Sequence, residues 1–293
     1  MHDTPDHPPV LTPRPILDHD LDRIALFFQT HLNPNLSLAA WKNAFCQPWL
    51  EDAPNHGFMF LDQERVVGAF GALYSEQIIR GQKERFCNPN SWIVLKPYRH
   101  QSLNLFQALL EQKGFHFSTL TSNKSVTRIC QFKQFKFMNN QMIVIPNLPL
   151  PVALKSKVII DRQEAISLLP SDSALDYRRH RVFPWLGQVA LGQSGSYCHV
   201  VFKRKKWKRM PAVVLLHISD PEMFLRHYPA LGRYLLWHYG VTTIHIPARF
   251  LPSAPAGSFT MVDTQPRMFL SDRLTERDFT FLYTEVVALD LTL

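Results

Sequence analysis

The segment Arg99-His100-Gln101-Ser102-Leu103-Asn104 has the composition and position expected of an anion-binding loop. The apolar run Ser91–Leu95 before it predicts a buried strand, and apolar residues recur at helical spacing over 102–112. A chain that passes from a strand into a helix presents free backbone N–H groups and the positive end of the helix dipole at the junction. With Arg99 beside these donors, we expect the junction to bind a pyrophosphate.

Two further groups of residues could do chemistry. Glu76 and Glu84 lie on or beside predicted hairpin strands, where a carboxylate can act as a general base, although a solvated hairpin carboxylate is the simpler interpretation. The basic run Lys203–Arg209 includes Trp207. Such a run is typical of a solvated hairpin tip, and the alternative is a surface that binds nucleic acid, an anionic glycan or a lipid head group.

The histidines and cysteines form no recognisable metal motif. The sequence has no His-Glu-x-x-His, no Cys-x-x-Cys and no close Cys/His set, so we expect no bound metal. The four cysteines are scattered, and we interpret them as small apolar side chains. The P-loop, G-x-G-x-x-G and G-x-S-x-G patterns are also missing, which excludes the common nucleotide and serine-hydrolase signatures.

The stretch Leu95-Lys96-Pro97-Tyr98-Arg99, followed by Ser102 and Asn104, resembles the motif V-x-P-x-(Q/R)-x-x-G-x-(G/A) of the GNAT superfamily of acyl-CoA-dependent N-acyltransferases. In that family the motif joins the fourth strand to the next helix. The hairpin F-M-F-L-D-Q-E-R-V-V-G-A-F-G is similar to the family's second and third strands. T-L-T-S-N-K-S-V-T-R-I-C-Q-F-K-Q-F-K-F is similar to its fifth strand, Asn-led helix and closing element. The resemblance spans about residues 16–145.

The resemblance implies acetyl-CoA or another acyl-CoA as co-substrate and a small-molecule or peptide amine as acceptor. It places the acyl-CoA on eight residues: Val94, Leu95, Arg99, His100, Gln101, Ser102, Leu103 and Asn104. The fourth and fifth strands of the family splay apart, so Val94 and Leu95 would bind the pantetheine amide. The amine would attack the thioester directly, and positioning would supply most of the catalysis. The catalytic group is left open; the candidates are Glu76, Glu84, Asn123 and Cys130.

Two departures from the family pattern keep other functions open. Ser102 and Asn104 replace small, glycine-like residues that let phosphate approach the backbone. The family's frequent general acid, a tyrosine near the final helix, is matched here by Cys130 or Phe132. We favour an N-acyltransferase; the alternatives are a degenerate, non-catalytic GNAT-like binding module and a nucleic-acid-associated basic protein.

Composition excludes several classes of protein. Of 293 residues, 46% are hydrophobic and 12% aromatic, which excludes a disordered chain, a coiled coil and a collagen-like fibre. The net charge of +8 favours anionic partners, among them CoA and nucleic acid. No apolar run reaches about 18 residues, and the first twenty residues do not have the pattern of a secretory signal. We therefore expect no membrane span and a cytoplasmic location.

The order of elements predicts an α+β protein with a GNAT-like mixed sheet flanked by helices, in two similar halves packed together. Residues 91–120 and 211–246 share the order strand, helix, strand, and the strands that begin near Ser91 and Phe115 are expected to be parallel. In the second half Asp220 stands where the phosphate loop would be and would repel a phosphate. A closing strand is expected over Leu282–Leu289. The predicted domains are a flexible arm over 1–20, an acyl-CoA-binding domain over 21–145, a linker over 146–152 and a degenerate second domain over 153–293.

Overall fold

The structure is a computed structural model that describes residues 9–148 and 155–291. Over these residues the chain forms two seven-stranded sheets flanked by helices, so the predicted α+β class is confirmed. The strands are β1 (Arg14–Pro15), β2 (Gly57–Asp62), β3 (Arg65–Ile79), β4 (Gln82–Val94), β5 (His116–Thr119), β6 (Lys136–Phe137), β7 (Gln141–Pro146), β8 (Lys157–Ile159), β9 (Leu186–Gln193), β10 (Ser196–Trp207), β11 (Met210–Ile218), β12 (Thr243–Pro247), β13 (Phe259–Val262) and β14 (Met268–Leu270).

Along the sequence, most of the α-helices precede the first long strand of a unit or connect two strands. They are α1 (Leu21–His31), α2 (Leu38–Phe45), α3 (Ser102–Leu110), α4 (Lys124–Phe132), α5 (Arg162–Leu168), α6 (Ser171–His180), α7 (Pro221–Tyr239) and α8 (Glu285–Ala288). Two of them begin at side-chain caps: the Ser37 hydroxyl accepts a hydrogen bond from the Ala40 N–H, and the Asn123 side chain accepts from two N–H groups.

The described chain divides into two compact units. Unit 1 comprises the residues up to Lys136 together with Met268–Leu274 and Tyr283–Leu289. Unit 2 comprises the described part of Phe137–Arg267, Thr275–Leu282 and the last two described residues. Each unit contains one sheet, apart from Phe137 at the end of β6.

The sheet of unit 1 has the strand order β1-β2-β3-β4-β5-β14-β6. Strands β1 to β4 form an antiparallel meander, and β4 pairs with β5 in parallel. Helix α3 makes the crossover between these two strands, as the sequence predicts. Its inward face, Leu105, Phe106 and Leu109, packs in the core with Phe70. Gly71 of β3 lies against the Phe45 ring, where a Cβ atom would come within 2.6 Å of a ring carbon, so only glycine lets α2 pack there.

The sheet of unit 2 repeats this arrangement. Its order is β13-β7-β12-β11-β10-β9-β8, with β8 to β11 antiparallel in succession and β11 parallel to β12. Helix α7 connects the parallel pair, as α3 does in unit 1. When the order of unit 2 is read in reverse, from β8 to β13, each strand takes the place of one strand of unit 1, beginning with β8 for β1. The predicted repeat of architecture is therefore confirmed.

The sixth strand of each sheet, counted from β1 in unit 1 and from β8 in unit 2, comes from a distant part of the chain. In unit 1, β14 pairs with β5, although β14 begins at Met268. In unit 2 that place belongs to β7, which pairs with β12 through Ile145 and Ile244 and precedes β8 in the sequence. The predicted first domain included this strand, because adjacency in the sequence was the available guide. Of the predicted linker over 146–152, residues 149–152 lie outside the described residues.

Two local expectations differ from the structure. Residues 285–288 form helix α8, so the predicted strand over Leu282–Leu289 is wrong; Val286 to Leu289 are all buried, and a short run buried all round has no period that separates strand from helix. In the predicted arm over 1–20, Arg14 and Pro15 pair with β2 and Ile16 is fully buried. Residues 1–8 of that arm lie outside the described residues.

Candidate functional site

The parallel strands β4 and β5 diverge soon after they meet. Among the described residues their ladder joins Phe86 to His116 and Cys87 to Phe117 and then stops. Strand β4 continues to Val94 along β3, with a bulge at Ser91, whose φ is 54°. The edge of β4 after Cys87 is therefore turned towards an opening, as the resemblance implied.

Within the opening, Val94 and Leu95 have different orientations. The Leu95 N–H donates to the Val67 carbonyl on β3 at 2.8 Å, and the Leu95 carbonyl accepts from the Tyr98 N–H at 2.9 Å. Because neighbouring residues of an antiparallel strand point to opposite edges, the backbone of Val94 faces the open edge. Its carbonyl accepts a hydrogen bond from the Arg99 Nε at 3.3 Å. The backbone of Val94 thus lies at the unpaired edge, whereas the backbone of Leu95 is already bonded.

The residues after β4 form a 3-10 turn over Lys96–Gln101 that runs directly into α3. The sequence predicted free N–H groups after Arg99, but the Ser102 N–H donates to the Arg99 carbonyl. Pro97, with its fixed φ, lies in the first turn, so helical structure begins six residues before Ser102. Arg99 and His100 are exposed and the first turn has no acidic residue, so an anion would meet side chains here.

The other predicted loop residues divide between buried and exposed positions. Gln101 is buried; its Oε1 accepts from the Leu11 N–H at 2.7 Å and its Nε2 donates to the Pro9 carbonyl at 2.9 Å. Ser102 is half-buried, while Leu103 and Asn104 are exposed on α3. Gln101 therefore binds the N-terminal segment, and the remaining three residues stay available to a ligand.

The candidate carboxylates on the hairpin both have partners. Glu76 forms ion pairs with Lys83 at 3.0 Å and with Arg85 at 3.7 Å. Glu84 is buried at the closed end of the β4–β5 pair, where it contacts His116 at 3.1 Å and Arg273. These carboxylates lie on strand segments away from the opening.

The other two candidates have structural positions as well. The Asn123 side chain accepts hydrogen bonds from the Ser125 and Val126 N–H groups, each at 3.0 Å, and so caps α4. Cys130 is buried in the core of unit 1, and burial raises the pKa of its thiol to about 12. A thiol with that pKa remains protonated at neutral pH, which makes Cys130 a poor proton donor or nucleophile.

One carboxylate that sequence reasoning missed lies in the opening itself. Glu285 is buried, and its Oε1 accepts hydrogen bonds from the Leu120 N–H and the Thr121 hydroxyl. Its partners are more than 160 positions away in the sequence, so no local pattern could join them. The signal was a single acidic residue in the otherwise apolar run 285–289, because a charged residue in such a run must find a partner.

The corresponding junction in unit 2 is built differently. The Asp220 carboxylate accepts a hydrogen bond from the Met223 N–H at 2.9 Å and caps α7. A carboxylate bonded to this N–H occupies the helix end that an anion would need. This contact agrees with the expectation that Asp220 disfavours phosphate.

The basic run lies on the β10–β11 hairpin of unit 2. Lys206 and Lys208 are exposed, but Lys203 is buried and paired with Asp290 at 3.5 Å, and burial lowers its pKa to about 8. The Trp207 ring packs against His245 at 5.1 Å between centroids. Part of the run is therefore internal, and Trp207 already has an aromatic neighbour.

Neither a metal-binding cluster nor a membrane-spanning helix occurs among the described residues. Residues 9–148 and 155–291 contain no group of three His, Cys, Asp or Glu side chains arranged to hold a metal ion. In the same part of the chain, every helix is too short or too polar to cross a bilayer.

The chain resembles known proteins in its structure. No protein-family model and no curated protein matches the chain, whereas solved structures match it. A GCN5-related N-acetyltransferase from Anabaena variabilis superposes with a TM-score of 0.58 at 9% identity, over 89% of this chain and 72% of that one. The fold is that of the GCN5-related N-acetyltransferases.

Two other solved structures agree with the GNAT fold. A conserved protein of unknown function from Enterococcus faecalis, described as a probable N-acyltransferase, matches with a TM-score of 0.56 at 12% identity, over 89% of this chain and 72% of that one. A putative acetyltransferase from Pyrococcus horikoshii matches with a TM-score of 0.51 at 14% identity, over 97% and 96% of the two chains. At these identities the likeness establishes the fold, and the two sheets fit tandem GNAT-like halves.

Proposed function

We propose that unit 1 binds an acyl-CoA and transfers its acyl group to the nitrogen of a small-molecule or peptide amine. The observation that carries the proposal is the opening between β4 and β5, with the basic turn Lys96–Gln101 at its outer end. An extended pantetheine could lie along the backbone edge at Val94, because amide groups pair readily with an unpaired strand edge.

The turn after β4 supplies the charge for the phosphates. Lys96, Arg99 and His100 are exposed, and the hydrogen bond from Arg99 to Val94 uses only its Nε. Arginine binds phosphate with its terminal N–H groups in a bidentate geometry. On this proposal Ser102, Leu103 and Asn104 lie beside the ligand at the start of α3, where a smaller side chain at position 102 or 104 would let a phosphate come closer to the backbone.

The chemistry is a direct exchange of acyl partners. The amine nitrogen forms a bond to the thioester carbonyl carbon, the carbon–sulfur bond breaks, and the amine loses one proton while the sulfur gains one. The protein contributes by holding both reactants in line within the opening. Acetyl-CoA is the simplest donor for this reaction.

A non-catalytic binding module is the second candidate, and one contact favours it. The Ser102 N–H is bonded inside the turn, which removes a backbone donor that a tightly bound pyrophosphate would use. Such a module would bind CoA and leave the thioester intact. The half-buried Trp207 and buried Lys203 give less support to nucleic-acid binding.

Calorimetric titration with CoA and acetyl-CoA tests the proposal. Arg99→Ala should raise the Kd about tenfold to a hundredfold, since a charge-assisted phosphate contact contributes roughly 1.5–3 kcal/mol and about 1.4 kcal/mol is one decade. Ser102→Gly with Asn104→Gly should hold or improve the affinity. Lys113→Ala is the matched control, because Lys113 is an exposed cation beyond the other end of α3, and it should change Kd less than twofold.

Two outcomes separate the candidates from each other. Binding of acetyl-CoA with release of free CoA thiol in the presence of primary amines supports the transferase. Binding without any thiol release supports the non-catalytic module. A wild-type protein that binds no CoA at millimolar concentration contradicts both.

A further inference from the structure

The opening between β4 and β5 contains a carboxylate from the far end of the chain. The Oε1 atom of Glu285 accepts hydrogen bonds from the Leu120 N–H at 3.2 Å and from the Thr121 hydroxyl at 2.9 Å, both just beyond β5. The backbone N–H of Glu285 donates to the Asn88 Oδ1 on β4 at 2.9 Å. Glu285 is thereby attached to β4 one residue after the last ladder pair and to the two residues that follow β5.

The second oxygen of this carboxylate has no partner. Glu285 is 1% exposed, and its Oε2 makes no hydrogen bond to any of the described residues. A buried oxygen without a hydrogen bond costs about 1–3 kcal/mol, and more when it is charged. Such a cost in the opening of the candidate site indicates a group that is completed by a ligand.

The surroundings of Glu285 are polar and uncharged. The Asn88 Nδ2 donates to the Ser118 carbonyl at 2.9 Å, and the Asn90 Nδ2 donates to the Asn88 carbonyl at 3.0 Å. Burial raises the pKa of the Glu285 carboxyl above its ordinary value, while the hydrogen bond from the Thr121 hydroxyl opposes this increase. A carboxylate of raised pKa is a stronger base than a solvated one.

The distances along β4 suit the chemistry proposed for unit 1. A pantetheine that enters from the turn at Lys96 and follows β4 inward carries its thioester towards Ser91. Asn88, which holds Glu285, lies three residues further in, or about 10 Å along the strand at 3.3 Å per residue. An amine between these points would have the thioester on one side and Oε2 on the other.

We infer that Glu285 is the general base of the acyl transfer, an inference that rests on the function proposed above. Its Oε2 takes one proton from the amine nitrogen as the nitrogen–carbon bond forms. The carbon–sulfur bond breaks, and the proton passes to the sulfur, so that CoA leaves as a thiol and the carboxylate is restored. No oxidant or further reactant is required.

The test compares the wild type with Glu285→Gln in acetyl transfer. The assay measures CoA thiol release from acetyl-CoA with putrescine, tyramine, glucosamine and a lysine peptide between pH 6 and 9. Glutamine keeps the shape and the accepting oxygen but cannot take the proton. We expect kcat to fall by about 10²–10⁴-fold, as for loss of a general base, with the Kd of CoA changed less than threefold in calorimetry.

The pH profile separates a base from a structural residue. The wild-type kcat/KM divided by that of Glu285→Gln should rise with pH through the pKa of Glu285 and then level, because deprotonation of the free amine raises both values alike. Thr121→Val removes a hydrogen bond that lowers this pKa, so the rise should move to higher pH. Glu285→Asp, which keeps a carboxylate, should recover part of the rate.

Asp20→Asn is the matched control. Asp20 is a fully buried carboxylate of unit 1 that accepts from the Leu17 N–H at 2.9 Å and pairs with Arg23. The control should lower the melting temperature while kcat and its pH profile stay as in the wild type. This control measures how far the loss of a buried carboxylate in unit 1 changes stability and activity without involving Glu285.

Each outcome decides between the two proposals. If Glu285→Gln folds, binds CoA and turns over at the wild-type rate with the wild-type pH profile, the inference is overturned and the proposed function stands. A Glu285→Gln protein that loses CoA binding together with activity also overturns the inference, since the residue is then structural. Wild-type protein that transfers acetyl to no member of the panel overturns the proposed function and the inference with it.

Discussion

Units 1 and 2 contain the same sheet, and the parallel pair of each sheet ends in different side chains. In unit 1, the residues of β4 after the ladder with β5 include Asn88 and Asn90, both buried and hydrogen-bonded. In unit 2, the residues of β11 after its ladder with β12 are Leu215, Leu216, His217 and Ile218. Topology creates a divergence in both units, whereas side chains make it polar in one and mainly apolar in the other.

The helices that follow the two strands differ in the same sense. A basic 3-10 turn precedes α3 and leaves Arg99 exposed, while Asp220 caps α7 and neutralises its N-terminus. Two units with the same strand order can therefore differ in their chemistry, since strand order depends on many apolar positions and ligand binding on a few polar ones.

The largest expected effect tests the sixth place of the unit 1 sheet. Met268 of β14 is fully buried in the core of unit 1. Met268→Asp should lower the free energy of unfolding by about 3–5 kcal/mol in urea titration, because it places an unpaired carboxylate in an apolar core. Val262→Asp on β13, where the side chain is 68% exposed, should change it by less than about 0.5 kcal/mol. Equal losses would contradict the role given to β14.

A second prediction concerns acid stability, which should depend on unit 2. His180, His199 and His217 are buried there, and burial lowers the pKa of all three, that of His217 to about 4. In the unfolded chain a histidine titrates near pH 6.5. The unfolded state thus binds protons that the folded state rejects, so stability is full above about pH 6.5 and falls as the pH drops towards 4.

Urea titrations between pH 7.5 and 4 measure this loss. His217 alone should contribute about 3 kcal/mol of it by pH 4. In His217→Gln the slope of the free energy of unfolding against pH should be smaller, by the amount that corresponds to about one bound proton, because glutamine does not titrate. Parallel curves for the two proteins would show that His217 is not the group responsible.

The smallest effect compares the long hairpins of the two units. The β3–β4 turn has Gly81 at φ 80°, and the β10–β11 turn has Arg209 at φ 67°. Glycine adopts this left-handed region without strain, and other residues do not. Arg209→Gly should raise the free energy of unfolding by about 0.5 kcal/mol, and Gly81→Ala should lower it by about 1 kcal/mol. Thermal melting resolves both, and a Gly81→Ala protein as stable as the wild type would refute the argument.

Sequence reasoning was sufficient where a structure depends on neighbours in the chain. Apolar periodicity located β4, α3 and β5, and the crossover rule made the two strands parallel. The same reasoning could not place β14 between β5 and β6, or Glu285 beside Leu120, because those contacts join distant residues. It also missed the 3-10 turn, since Pro97 fits either an irregular loop or the first turn of a helix.

The strand order of unit 1 has a consequence during synthesis. After β5 leaves the ribosome, about 150 further residues must be translated before its neighbour β14 exists, which takes roughly 7–30 s at about 5–20 residues per second. Throughout that interval the outer edge of β5 lacks its final partner, and unpaired edges promote association between nascent chains. A protein truncated after residue 145 would never contain β14, and its β5 edge would stay unpaired. The sheet of unit 1 is therefore completed only after most of the chain has been translated, so the two units do not fold one after the other.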